Sequence, residues 1–143
     1  MNITIITGKK GVGKSTYLKK MIKTSKKQYD GIITICRNRD EKKYSFLFLK
    51  DNITISCCHY DTKMVFNSNN FIKANNYLKN IKSKNIILDE IGWLELENNG
   101  LYSGLFSLLS NNNIKNLYIS MRFDSYKKLI EKFKIEDYKL VIL

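Results

Sequence analysis

The chain has 143 residues, 43% of them hydrophobic, enough for one domain over residues 1–143 with a single core. A formal net charge of +12 invites a polyanion partner, yet 22 Lys against 3 Arg, beside 16 Asn, is the mark of A/T-rich codons, so the excess reads as a solvated lysine surface and nucleic acid is not the expected partner. Three cysteines make no disulfide framework, no stretch nears the roughly 18 apolar residues of a bilayer span and no charged-then-apolar leader precedes the first strand, so the expected setting is a reducing cytoplasm and membrane insertion is set aside.

The first element is the apolar run Ile3-Thr4-Ile5-Ile6, a strand. Directly after it, Gly8-Lys9-Lys10-Gly11-Val12-Gly13-Lys14-Ser15 fits the phosphate-binding pattern G-x-x-x-x-G-K-[ST] between a strand and a helix. Glycines let the backbone curl with its N–H groups turned toward phosphate oxygens, Lys14 reaches the terminal phosphates, and the Ser15 hydroxyl suits Mg²⁺. The expected nucleotide-binding set is Gly8, Lys9, Lys10, Gly11, Val12, Gly13, Lys14, Ser15 and Thr16.

Leu18, Met21, Ile22 and Ser25 then recur at helical spacing, with Lys19, Lys20, Lys23, Lys26 and Lys27 on the other side, an amphipathic helix laid on a sheet. Ile32-Ile33-Thr34-Ile35-Cys36 is a strand apolar on both faces. Tyr44 to Leu49 and Ile53 to Cys57 are separated by Lys50-Asp51-Asn52 alone, a connection that fits an antiparallel hairpin and is too short for a parallel crossover. Asn67 to Asn70 supply capping side chains for a helix carrying Phe71, Ile72, Leu78 and Ile81.

Ile86-Ile87-Leu88 is a second buried strand and ends in Asp89-Glu90, followed by a loop through Ile91-Gly92-Trp93. Gly100 to Ser110 reads as a helix, Leu117 to Met121 as a buried strand, 124–134 as a last helix and 140–143 as a short strand. Strands alternating with helices predict an α/β fold in three layers, a mainly parallel sheet covered on both sides, with ligands at the carboxyl ends of its strands.

An acidic strand end is the expected companion of a P-loop. Asp89 is assigned to the Mg²⁺ shell beside Ser15, and Glu90, on the other side of the strand end, to polarising the water that attacks the γ-phosphate. Read without the P-loop, Glu90 is merely an exposed carboxylate closing a strand.

Ile87-Leu88-Asp89-Glu90-Ile91-Gly92-Trp93-Leu94-Glu95-Leu96 resembles the Asp-Glu-Ile-Gly-x-x-Glu-Leu signature of the small P-loop nucleoside-triphosphatase family first described from thermophiles, to which human cancer-related nucleoside-triphosphatase belongs. The amino-terminal P-loop, the Gly31-Ile32-Ile33-Thr34 strand and the hairpin before the Asp-Glu strand agree in order. The resemblance implies a fold related to RecA-like and AAA-type ATPases and slow Mg²⁺-dependent hydrolysis of ATP, GTP and other nucleoside triphosphates. It also places Gly92 and Glu95 in the surroundings of the site. Lys9 and Lys10 depart from the small residues or Pro usual there, and the segment from Cys36 to Tyr44 lacks the family's Glu-x-Arg-like character.

A cation near the γ-phosphate assists an NTPase transition state, and Arg37, Arg39 and Arg122 are the arginines on offer. Arg122 follows a buried strand and should emerge at the P-loop edge, so it is the preferred candidate; as a plain surface residue it would pair with Asp124. Cys57-Cys58-His59 makes a poor metal site, since adjacent strand cysteines point to opposite faces. Trp93 is expected to pack under the following helix. Three other readings stand beside the hydrolase: a dimeric partitioning-type ATPase whose Lys9 reaches the partner's nucleotide, a small-molecule kinase using Asp89 or Glu90, and a non-hydrolysing nucleotide-bound module. The sequence leaves the oligomeric state and the preferred base open.

Overall fold

The structure, a computed structural model, describes residues 1–143. In chain order its elements are β1 (Asn2–Thr7), α1 (Lys14–Thr24), β2 (Asp30–Asn38), β3 (Lys43–Phe48), β4 (Ile53–Asp61), β5 (Lys63–Phe66), α2 (Ser68–Lys79), β6 (Asn85–Ile91), α3 (Trp93–Leu96), α4 (Tyr102–Leu109), β7 (Asn116–Met121), α5 (Tyr126–Lys132) and β8 (Lys139–Ile142). The strands form one eight-stranded sheet in the order β5-β4-β3-β2-β6-β7-β1-β8. Pairings from β2 through β6, β7 and β1 to β8 are parallel, and β2-β3, β3-β4 and β4-β5 are antiparallel.

Layers follow from alternation along the strands. Ile6, Ile33 and Ile87 meet Leu18 of α1 on one face. Ile5, Ile32, Ile86, Leu88, Leu117 and Ile119 form the main core on the other, under Ala74 and Leu78 of α2, Leu105 and Leu108 of α4 and Leu129 of α5. Burial of these aliphatic chains, at about 1.5–3 kcal/mol each, is the dominant force holding the layers. At the amino end of the parallel strands, buried Asp30 accepts from the hydroxyls of Tyr77 and Ser83 and from the Gly31 N–H, tying α2 and the segment after it to the start of β2.

The predicted α/β order stands, with differences that have physical causes. The hairpin is longer than its apolar core: β4 runs on to Asp61 and turns at Thr62 (φ 54°) into β5, whose four residues are all exposed and so carry no burial pattern. Ile72 is 58% exposed, because Phe71, Ala74 and Leu78, not Ile72, define the inner stripe of α2. The stretch Ile91-Gly92-Trp93 is no simple loop: β6 continues through Ile91 after a register break against β7, and α3 starts at Trp93.

Candidate active site

Residues 8–13 leave the carboxyl end of β1 and turn into α1. The turn needs left-handed backbone at Gly11 (φ 80°) and Gly13 (φ 98°), a region where a Cβ crowds the next carbonyl. Gly13 is the N-cap of α1, and no side chain caps this helix end. The first-turn N–H groups of Lys14, Ser15 and Thr16 therefore face outward with the positive end of the helix dipole, a ready anion seat. Lys14 folds back so that its Nζ donates to the Gly8 carbonyl at 3.1 Å. Lys9 and Lys10 are exposed at the tip, where the Val12 N–H closes a turn on the Lys9 carbonyl at 3.1 Å.

The P-loop strand β1 and the acidic strand β6 are separated by β7. Two interstrand spacings set their carboxyl ends about 10 Å apart. Polar bonds along this edge fix the three ends. The buried Thr7 hydroxyl donates to the Met121 carbonyl at 2.8 Å, and the buried Ser120 hydroxyl donates to Asp89 Oδ1.

Asp89 shares the α1 face with Ile87, two residues back, and is wholly buried. The β2–β6 ladder ends at Ile32 and Leu88. Where the two strands part, Asp89 Oδ2 accepts the Thr34 N–H at 3.3 Å. Burial pushes the Asp89 carboxyl up to about 6, and the charge of Glu90 adds to this while the Ser120 and Thr34 bonds oppose it. The two ion pairs of the molecule lie elsewhere, so no protein cation compensates Asp89. A buried, uncompensated carboxylate and the Ser15 hydroxyl are hard oxygen donors that fit a hydrated divalent ion such as Mg²⁺.

Glu90 stands in left-handed backbone (φ 62°) with its side chain exposed. This costs about 1 kcal/mol or more for a residue with a Cβ and is held by the bond from the Glu90 N–H to Ser120 Oγ at 2.9 Å. The conformation turns Glu90 out of the strand into solvent beside the buried Asp89. Ser120 thus orients both acidic residues. Sequence reading missed it, because a serine inside an apolar strand carries no motif of its own.

Glu95 now has a place. It is buried, its pKa raised by burial, and its two oxygens accept the Gly92 N–H at 2.7 Å and the Leu101 N–H at 2.8 Å. It clasps the segment from Glu90 to α4 as the acidic half of a capping box, and the spacing Gly92-x-x-Glu95 was the signal for it.

Arg122 leaves β7 beside Ile91, its N–H donating to the Ile91 carbonyl at 3.0 Å. Its stem lies on Gly92, where an added Cβ would stand 2.5 Å from Arg122 Cδ. The guanidinium is 3.5 Å from Asp124, both side chains half exposed. Asp124 also accepts the Trp93 indole N–H at 3.3 Å. Trp93 is 49% exposed and does not pack under the following helix as expected, because α3 begins at that residue and turns its ring outward toward Asp124. Arg37 and Arg39 lie exposed at the far end of β2 and the turn after it.

The expectation for the cysteines also fails: Cys57 and Cys58 do not point apart, their Sγ atoms being 3.5 Å from each other across a bulge in β4. No group of three or more His, Cys, Asp or Glu side chains is placed to hold a metal ion by itself.

Comparison with known proteins bears on the fold and the family. The chain superposes on the crystal structure of THEP1 from the hyperthermophile Aquifex aeolicus with a TM-score of 0.73 at 20% identity, covering 99% of this chain and 89% of that one. It superposes on the solution structure of a human cancer-related nucleoside triphosphatase with a TM-score of 0.74 at 19% identity, covering 100% and 89%. At these identities the likeness is one of fold. No protein with a curated function matches the sequence. The family model described as NTPase matches residues 3–143, and by that match over nearly its whole length the chain belongs to the NTPase family.

Proposed function

We propose that this protein hydrolyses nucleoside 5′-triphosphates such as ATP and GTP to the diphosphate and phosphate, with Mg²⁺ as cofactor. The observation that carries this reading is the single edge on which an uncapped P-loop helix, after β1, faces a buried carboxylate without a cation and an exposed carboxylate, both at the end of β6, with only β7 between the two strands. The amides of residues 13–16 hold the β- and γ-phosphates, and Lys14 exchanges its bond to the Gly8 carbonyl for the terminal phosphates. Ser15 and Asp89 hold the Mg²⁺ shell, and the ion supplies neutralisation of charge on the phosphate oxygens. Glu90 orients and deprotonates the attacking water, while Arg122, freed from Asp124, stabilises charge on the γ-phosphate.

The family's activity and the hard-oxygen donor set support this reading. No helix is long and apolar enough to cross a membrane, and the free thiols fit the reducing cytoplasm in which we place the enzyme. A colorimetric phosphate assay across the common triphosphates, with and without Mg²⁺ and with no acceptor added, tests it. Phosphate release in Mg²⁺ alone supports the hydrolase; absence of release with every triphosphate rejects it.

A further inference from the structure

Neighbouring side chains on a strand ordinarily take opposite faces. In the β3–β4 ladder Ser45 pairs with Ser56 and Tyr44 with Cys58, which leaves Cys57 as an extra residue without a partner, a β-bulge. The bulge brings the two Sγ atoms to 3.5 Å, Cys57 in the core and Cys58 half-buried and open to solvent on one side. None of the proposed triphosphate chemistry uses either thiol. Cys36, the third cysteine, is exposed on β2 and separated from Cys58 by Tyr44 on β3, too far for direct bonding.

We propose that Cys57 and Cys58 are a redox-active vicinal dithiol, oxidised by a low-molecular-weight disulfide to a Cys57–Cys58 disulfide and reopened by the corresponding thiol. Cys58 is the attacking sulfur: it is the more accessible, and the Cys57 S–H donating to it lowers its pKa, while the same bond first and burial second raise that of Cys57. The Cys58 thiolate attacks one sulfur of the small disulfide, forms a mixed disulfide and releases one small thiolate, which takes up a proton. Cys57 then loses its proton to solvent and attacks the Cys58 sulfur, expelling the second small thiolate, which is protonated in turn. Two protein thiols have lost two electrons and two protons, and one small disulfide has become two thiols. Adjacent Cα atoms lie about 3.8 Å apart, short of the usual window of about 4.4–6.8 Å for a disulfide, so the bond is of the labile, readily reduced kind.

The test is peptide mapping of the folded Cys36→Ser protein after exposure to excess oxidised glutathione. The expected product has lost two hydrogens, resists alkylation at both remaining cysteines and recovers both thiols in reduced glutathione. Adding Cys57→Ser halts the reaction with one glutathionyl group on Cys58. A glutathionyl group persisting on Cys58 in the Cys36→Ser protein, a disulfide between two chains, or two thiols still fully alkylated would each overturn the proposal.

Discussion

Ser120 donates its hydroxyl proton to Asp89, and the same oxygen accepts the N–H of Glu90 at 2.9 Å. One buried hydroxyl therefore holds the side chain of one acidic residue and the strained backbone of the next. Its loss should be felt in rate more than in stability. Ser120→Ala is expected to cost about 1–3 kcal/mol of stability and to lower kcat at least about tenfold with KM little changed, because Glu90 loses the support for its left-handed backbone. Steady-state kinetics beside urea unfolding checks this. A kcat within about twofold of the parent would show that the site does not depend on that bond.

The Asp89 carboxyl, pushed from 3.8 to about 6 by burial, makes stability depend on pH. A carboxyl that holds its proton more tightly when folded favours the fold fully below the unfolded value. That contribution is lost as pH rises through about 6, and is worth about 3 kcal/mol in total. In Mg²⁺-free, nucleotide-free protein, Asp89→Asn should therefore gain stability relative to the parent between pH 4 and pH 7 while losing hydrolysis. Glu95 shifts in the same direction but is present in both proteins, so the difference isolates Asp89. A stability difference that stays flat across that window would show that Asp89 does not titrate there.

Gly100 (φ 63°) passes so close to Glu95 that a Cβ would collide with Oε2. Gly100→Ala is expected to cost about 2 kcal/mol or more, from backbone strain and a broken clasp, lowering Tm by about 5–10 °C. Calorimetric or circular-dichroism melting measures it. An unchanged Tm would mean that the 92–101 segment is free to rearrange.

Arg122 and Asp124 form a half-exposed pair at 3.5 Å, of a kind worth about 1 kcal/mol or less to stability. Arg122→Ala should leave Tm nearly unchanged and lower kcat about tenfold or more if the guanidinium reaches the γ-phosphate. Phosphate release at saturating nucleotide distinguishes the two roles, since an arginine that only pairs with Asp124 leaves kcat where it was.

Most of the fold is legible in the sequence because burial writes it plainly. Ile5 and Ile6, Ile32 and Ile33, and Ile86 to Leu88 face two different layers, and such doubly buried strands read as unbroken apolar runs. The P-loop and Asp89-Glu90 are legible because their chemistry demands fixed residue types at a strand's end. What escapes is set by contacts between distant residues. Ser120 matters through neighbours 30 and 31 positions away, and the exposed β5 exists only because β4 offers it an edge. The meeting of Cys57 and Cys58 depends on a register shift that alternation cannot anticipate.

The most direct test of the central claim is Glu90→Gln, an isosteric change at an exposed residue that spares the fold. Titration calorimetry with Mg²⁺–nucleotide, paired with single-turnover phosphate release, reads binding and chemistry separately. The account predicts binding within a few-fold of the parent and hydrolysis slowed at least about a hundredfold. Phosphate released at the parental rate would contradict it and remove Glu90 from the reaction.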